Sequence, residues 1–108
     1  MLAGWIHRRH LFLVYLIECN KCFLKYIGET ERSLKDRISE HKTYINQKHI
    51  NQPIGDHFNK PGHSIDNFTV SVIEKVKSSE KLYRKEREKY LIKKFNTYYN
   101  GLNKNTGG

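Results

Sequence analysis

Residues 11–18, "LFLVYLIE", form an apolar run rich in β-formers, and this pattern predicts a buried strand. Residues 23–27, "FLKYI", predict a second strand after a tight connection, with Gly28 expected to end it. From "ETERSLKDRISEHKTYI" onward the period lengthens to that of a helix. Leu34, Ile38, His41 and Ile45 share one face, Ser33 stands where an N-cap belongs, and Arg37 lies beside the face one turn before His41. Residues 46–67 are polar and broken by Pro53, Gly55, Pro61 and Gly62, which predicts a loop with one helical turn around "IGDHFN". "FTVSVIEKV", residues 68–76, alternates with Phe68, Val70 and Val72 inward, as a third strand would. Residues 78–95 predict a helix capped by Ser78 or Ser79, with Lys93 and Lys94 in its last turn. The tail after it is turn-rich. The order β-β-α-β-α implies an α+β fold, a small three-stranded antiparallel sheet flanked by helices. Residues 1–10 read as a linker or N-terminal extension and 11–108 as a single domain without internal repeats.

Two positions break the pattern. On the last helix, Leu91, Ile92 and Phe95 make an apolar stripe, and the same spacing steps back onto Glu88. A carboxylate in line with a core-facing stripe is unfavourable unless it is paired or holds a metal. Pairing with Arg84 at i−4 is the structural alternative. On the first helix His41 occupies a stripe position. It is either a satisfied core histidine or a working one. Arg37, His41 and Glu88 directed at one seam combine phosphate stabilisation, proton handling and divalent-metal binding.

The chain has 108 residues, with 20 Lys and Arg against 11 Asp and Glu, for a formal charge of +9. Such a balance favours a polyanion, nucleic acid before an anionic membrane. No apolar run is long enough to span a bilayer and no signal peptide is evident, so an intracellular location is expected. Hydrophobic content is only 37%, so a stabilising metal would help a core of this size. Reduced thiols in an intracellular chain read as metal ligands or bystanders before they read as a disulfide. Cys19 and Cys22 are spaced as a zinc knuckle and sit where a hairpin turn would be. No helix N-terminus follows them to favour a redox role.

The ordered set "VY" at 14–15, "YIG" at 26–28, "SLKDRISEH" at 33–41, "EREKYLIKKF" and "GLN" resembles the GIY-YIG nuclease family across nearly the whole chain after residue 11. Leu13 stands where that family has its first glycine, a departure that removes no reactive group. The resemblance implies catalytic roles for Tyr15, Tyr26, Arg37, His41, Glu88 and Asn103, with Asn100 a rival for the terminal asparagine. The "Cys-x-x-Cys" followed by "HFNKPGHS" looks like the endonuclease domain of Penelope-like retroelements. That resemblance implies structural zinc on Cys19, Cys22, His57 and His63, pinning the loop. His7, His10 and His49 receive no role.

The expected activity is therefore metal-dependent DNA cleavage, serving retroelement insertion. The resemblance implies one Mg2+ or Mn2+ held by Glu88 and Tyr15 as general base. A tyrosine needs nearby positive charge to work as a base, and Arg37, the metal or a protonated His41 could supply it. Tyr26 would position the water or a phosphate oxygen, Arg37 would neutralise phosphate charge, and Asn103 would order the C-terminal turn or touch a phosphate. Lys42, Lys48, Lys85, Lys89, Lys93 and Lys94 read as solvated charges that attract the DNA backbone. DNA and a reverse transcriptase domain of the same parent polypeptide are the expected partners, with no membrane. The alternative is a zinc-containing nucleic-acid-binding module that does not cleave, and plasmid nicking separates the two.

Overall fold

The computed structural model describes residues 12–31, 33–76, 81–97 and 101–103. Strand β1, Phe12–Cys19, lies at the centre of an antiparallel sheet between β2, Lys25–Thr30, and β3, Phe68–Val76. A hairpin joins β1 to β2, and the register sets Tyr15 against Gly28 and Ile17 against Tyr26. The pairing of β1 with β3 runs from Cys19↔Phe68 to Tyr15↔Val72, then steps over Ile73 to Val14↔Glu74, a β-bulge.

Alternation sends the two faces of β1 into two cores. Tyr15, Ile17 and Cys19 face helices α1, Leu34–Asn46, and α2, Pro53–His57, where they pack with Ile45, Ile54 and Phe58. Val14 faces the other way, with Ile27, toward Leu91 and Ile92 of helix α3, Lys81–Phe95. The sheet is thus covered on both sides, which is why its central strand reads as a continuous apolar run rather than an alternation.

Local chemistry sets the helix limits. The Ser33 hydroxyl accepts from Asp36 N at 3.2 Å and caps α1. Pro53 opens α2, where its missing N–H costs nothing. A single turn of 3-10 helix, Ile65–Asn67, leads into β3 and carries a capping box between Ser64 and Asn67. Arg87 of α3 grips Glu74 of β3 through two hydrogen bonds of 2.7 and 2.6 Å.

Four expectations fail in detail. Gly28 does not end β2 but lies inside it, for a reason given below. Val70 and Val72 are 39% and 38% exposed. They face the same side as Tyr15 and Ile17, as the period predicts, but β3 is an edge strand. Of its inward row, Phe68 is the residue that packs into this core, edge-on to Phe58. Phe95 is likewise exposed at the end of α3. Ser78, Ser79 and the Arg84 side chain lie outside the described residues.

Candidate active site and metal centre

Gly28 places the first tyrosine. A Cβ built on Gly28 would stand 2.4 Å from both Cζ and Oη of Tyr15. The ring of Tyr15 can therefore cross β2 only because the residue opposite it has no side chain. The crossing delivers the Tyr15 hydroxyl to α1, where Oη lies 2.8 Å from His41 Nε2 and accepts from Arg37 Nε at 3.0 Å. One turn of helix separates Arg37 from His41, so one hydroxyl can meet both. Arg37 is also paired with Glu40.

Charge states follow from burial. His41 is almost fully buried and stands beside Arg37; burial first, then that guanidinium, push its pKa down to about 4. It is neutral at pH 7, so Nε2 is an acceptor and the Tyr15 O–H donates to it. His41 Nδ1 has no hydrogen-bond partner among the described residues. Burial likewise raises the pKa of Tyr15 and of Tyr26, against the lowering influence of Arg37. Burial works against the charge of Arg37, but Tyr15, Tyr26 and Glu40 more than restore it, and Arg37 stays cationic at any working pH.

One expectation about the base is thereby corrected. His41 is not protonated at neutral pH and cannot lower the Tyr15 pKa by its charge. Tyr15 has no exposed surface, because Gly28 lets it lie under α1. The cleft is lined instead by Tyr26, Glu29, Thr30, Glu31, Arg37, Lys85 and Glu88. Tyr15 stands one layer behind it, its ring 6.5 Å from that of Tyr26.

The cleft lies where the two helical layers meet around the C-terminal end of β2. Arg37 arrives from α1 and Glu88 from α3. Glu88 has 14% of its side chain exposed, as its place in the apolar stripe implies, and lies 3.7 Å from Lys85 Nζ. Lys85 also reaches Glu29 at 3.4 Å. Lys85 is thus part of the cleft and not a solvated charge. Sequence reasoning did not single out Glu29, and it gave Lys85 only a general attraction to the DNA backbone. The available signals were a carboxylate directly after Gly28 and a lysine one turn before Glu88.

Asn103 plays another part. Its Oδ1 accepts from Ile27 N and its Nδ2 donates to Ile27 O, both at 2.8 Å. The amide thus imitates a neighbouring strand, while Leu102 N bonds Lys25 O at 2.8 Å. Both ends of the side chain are engaged in holding the outer edge of β2, so Asn103 orders the C-terminal turn and does not present its amide to a phosphate. Asn100 lies outside the described residues.

A second cluster sits at the hairpin turn. Cys19 Sγ, Cys22 Sγ and a ring nitrogen each of His57 and His63 lie within 4.8 Å of one another. His57 Nε2 is 3.4 Å from Cys22 Sγ. His63 Nδ1 is 3.4 Å from Pro61 O, and His63 Nε2 is buried without a partner among the described residues, as a ligand nitrogen would be. Lys21 N donates to Cys19 Sγ at 3.4 Å. Both cysteines are free thiols. Two sulfurs and two imidazoles converging this way fit a tetrahedral zinc ion.

The profile of the GIY-YIG catalytic domain matches residues 11–103. The chain belongs to the GIY-YIG family. It is a nuclease domain, and GIY-YIG nucleases depend on a metal. Among solved structures, the fold is similar to a mutant of the catalytic domain of intron endonuclease I-TevI, with a TM-score of 0.76 and 23% identity over 91% of this chain and 97% of that one. The catalytic domain of homing endonuclease I-TevI gives 0.68 and 24% over 83% and 94%. No curated protein matches. Among the described residues no helix is long and apolar enough to cross a membrane.

Proposed function

We propose that this GIY-YIG domain is a metal-dependent DNA endonuclease. The observation that supports this most is the placement of Tyr26, Arg37 and Glu88 on one cleft, with the Tyr15 hydroxyl held behind it between Arg37 and His41. Arg37 offers a permanent positive charge to a phosphate entering the cleft. Tyr26 orients a water or a phosphate oxygen. Tyr15 and His41 form a proton path: a proton reaching the Tyr15 oxygen releases its own to the neutral Nε2 of His41. Such a path removes the need for a tyrosinate, which burial disfavours. Glu88 would hold Mg2+ or Mn2+ through its carboxylate, and such an ion would supply Lewis-acid polarisation of the phosphate and stabilise charge on the leaving oxygen.

The Cys19, Cys22, His57 and His63 cluster supports structural zinc and assignment to the Penelope-like retroelement endonucleases. On that assignment the domain nicks DNA for element insertion, works in the nucleus, and is joined through residues 1–10 to a reverse transcriptase domain. Nicking of supercoiled plasmid with Mg2+ or Mn2+, and its loss when the divalent ion is omitted, tests the activity. Omission is preferable to chelation, because a chelator also removes zinc. A protein that binds plasmid but never nicks it is the non-catalytic alternative.

A further inference from the structure

Phe23 is 64% exposed and its backbone has φ 64°. Among the described residues two other non-glycine residues share positive φ, Lys48 and Asn96, and each lies just past a helix end, where left-handed backbone is the usual cap. Phe23 has no such excuse. It follows Cys22 in the hairpin turn, where Phe23 N bonds Cys19 O at 2.8 Å and Cys19 N bonds Leu24 O at 3.0 Å. Those bonds dictate a left-handed residue, which glycine would fill without strain. A bulky aromatic there is disfavoured twice, by its backbone and by the water around its ring.

Lys21 and Lys25 flank the ring, and Lys25 also pairs with Glu18 at 3.2 Å. Lys25 Nζ donates to Phe23 O at 3.2 Å, and Lys21 Nζ donates to Gly62 O across the turn. The turn also leads straight into β2. Phe23 is three residues before Tyr26 and seven before Thr30, so at most roughly 10 to 23 Å of chain separates it from the residues of the cleft. That is a span of about three to seven base steps of DNA. We infer that Phe23 is a nucleic-acid contact: its ring stacks on a base of the same DNA strand that the cleft holds, with Lys21 and Lys25 on the adjoining phosphates. Aromatic rings between lysines suit this partner because every base has a π-face and every linkage a charge.

The inference rests on DNA as the substrate. The test uses the full chain with zinc retained, in a Glu88→Ala background and without added divalent ion, so that nothing is cleaved. Fluorescence anisotropy measures its affinity for a labelled duplex with a single-stranded overhang. Phe23→Gly is expected to weaken binding by at least about fivefold, the low end for one stacked base, while leaving the melting temperature unchanged or raised. Phe23→Trp restores affinity and Phe23→Leu does not. A lower melting temperature with unaltered affinity marks Phe23 as a packing residue and overturns the inference. Unaltered affinity at unaltered stability also overturns it, and leaves the ring for a protein contact. If the background protein itself fails to bind DNA, the substrate reading falls and this one with it.

Discussion

Gly28→Ala adds one methyl group to the strand, and the geometry states what it meets. The new Cβ stands 2.4 Å from Tyr15 Cζ and Oη, against an ordinary contact near ~3.5 Å, so the end of the ring must shift by about 1 Å. The Tyr15 hydroxyl now lies 2.8 Å from His41 and 3.0 Å from Arg37. A hydrogen bond stretched to about 3.6 Å or beyond is no longer one, so the shift cannot keep both. Misplacement of a catalytic group on this scale is worth roughly 10²-fold in rate. Overpacking should cost about 1–3 kcal/mol, which a domain of this size registers as a fall of several degrees without unfolding. Plasmid nicking under Mg2+, melting temperature and zinc content are measured together. Cleavage should drop by about two orders of magnitude while zinc content holds. The same substitution made on Tyr15→Phe should cost little further activity, because one hydroxyl is lost in both. A Gly28→Ala enzyme that nicks near the wild-type rate would falsify the placement of Tyr15 in the proton path.

Tyr15→Phe should lower cleavage by ~10²-fold or more, and it should also cost some stability, because His41 Nε2 and Arg37 Nε lose a buried partner. Glu88→Ala should abolish metal-dependent nicking yet retain zinc and fold; retained nicking on this variant removes Glu88 from the site. Acid titration reads His41. Its folded pKa lies below its ordinary 6.5, at about 4, so the folded state resists the proton that the unfolded state accepts. Stability is therefore complete above pH 6.5 and is lost as pH falls toward 4, by up to about 3 kcal/mol. A His41→Gln variant should show a flatter stability profile across that window, and an identical slope in the two proteins would assign the loss to other groups. Elemental analysis should find one zinc per chain, and Cys22→Ser should lose it with a clear fall in melting temperature; absent zinc in the wild-type protein rejects the cluster.

The elements were legible wherever the apolar pattern matched the cores that cover it. α1 and α3 lie where their periods put them, and β1 lies where its unbroken apolar run put it because both its faces are covered. The misses share a cause, which is that a period gives the side a residue faces and not what lies opposite. Val70 and Val72 face inward by count, yet the helical layer stops short of the edge strand. Gly28 looked like a stop because glycine weakens strands, while its role is to vacate space for a ring on the neighbouring strand. Arg37, His41 and Glu88 were visible as polar residues on or beside apolar stripes. Glu29 and Lys85 were not, because their meeting depends on how α3 crosses the end of β2.

The two clusters are physically joined through β1. Tyr15, Ile17 and Cys19 occupy alternate positions on one face, so the hydroxyl proposed for the proton path and the first thiol lie on the same row of side chains. The row rests on Ile54 and Phe58 of the α2 segment, from the loop that contributes His57 and His63. That segment is short, polar and broken by Pro53 and Pro61, and helices of this length do not persist by themselves. Zinc across Cys19, Cys22, His57 and His63 would tie it to the hairpin and keep Ile54 and Phe58 against Tyr15. None of the four ligands lines the cleft. Loss of zinc should therefore act on cleavage indirectly, by loosening the support beneath Tyr15 rather than by removing a reacting group. On the proposed reading, the Cys-x-x-Cys lies in the turn between Tyr15 and Tyr26, where one metal ion would fix both the strand register and the loop packed against it.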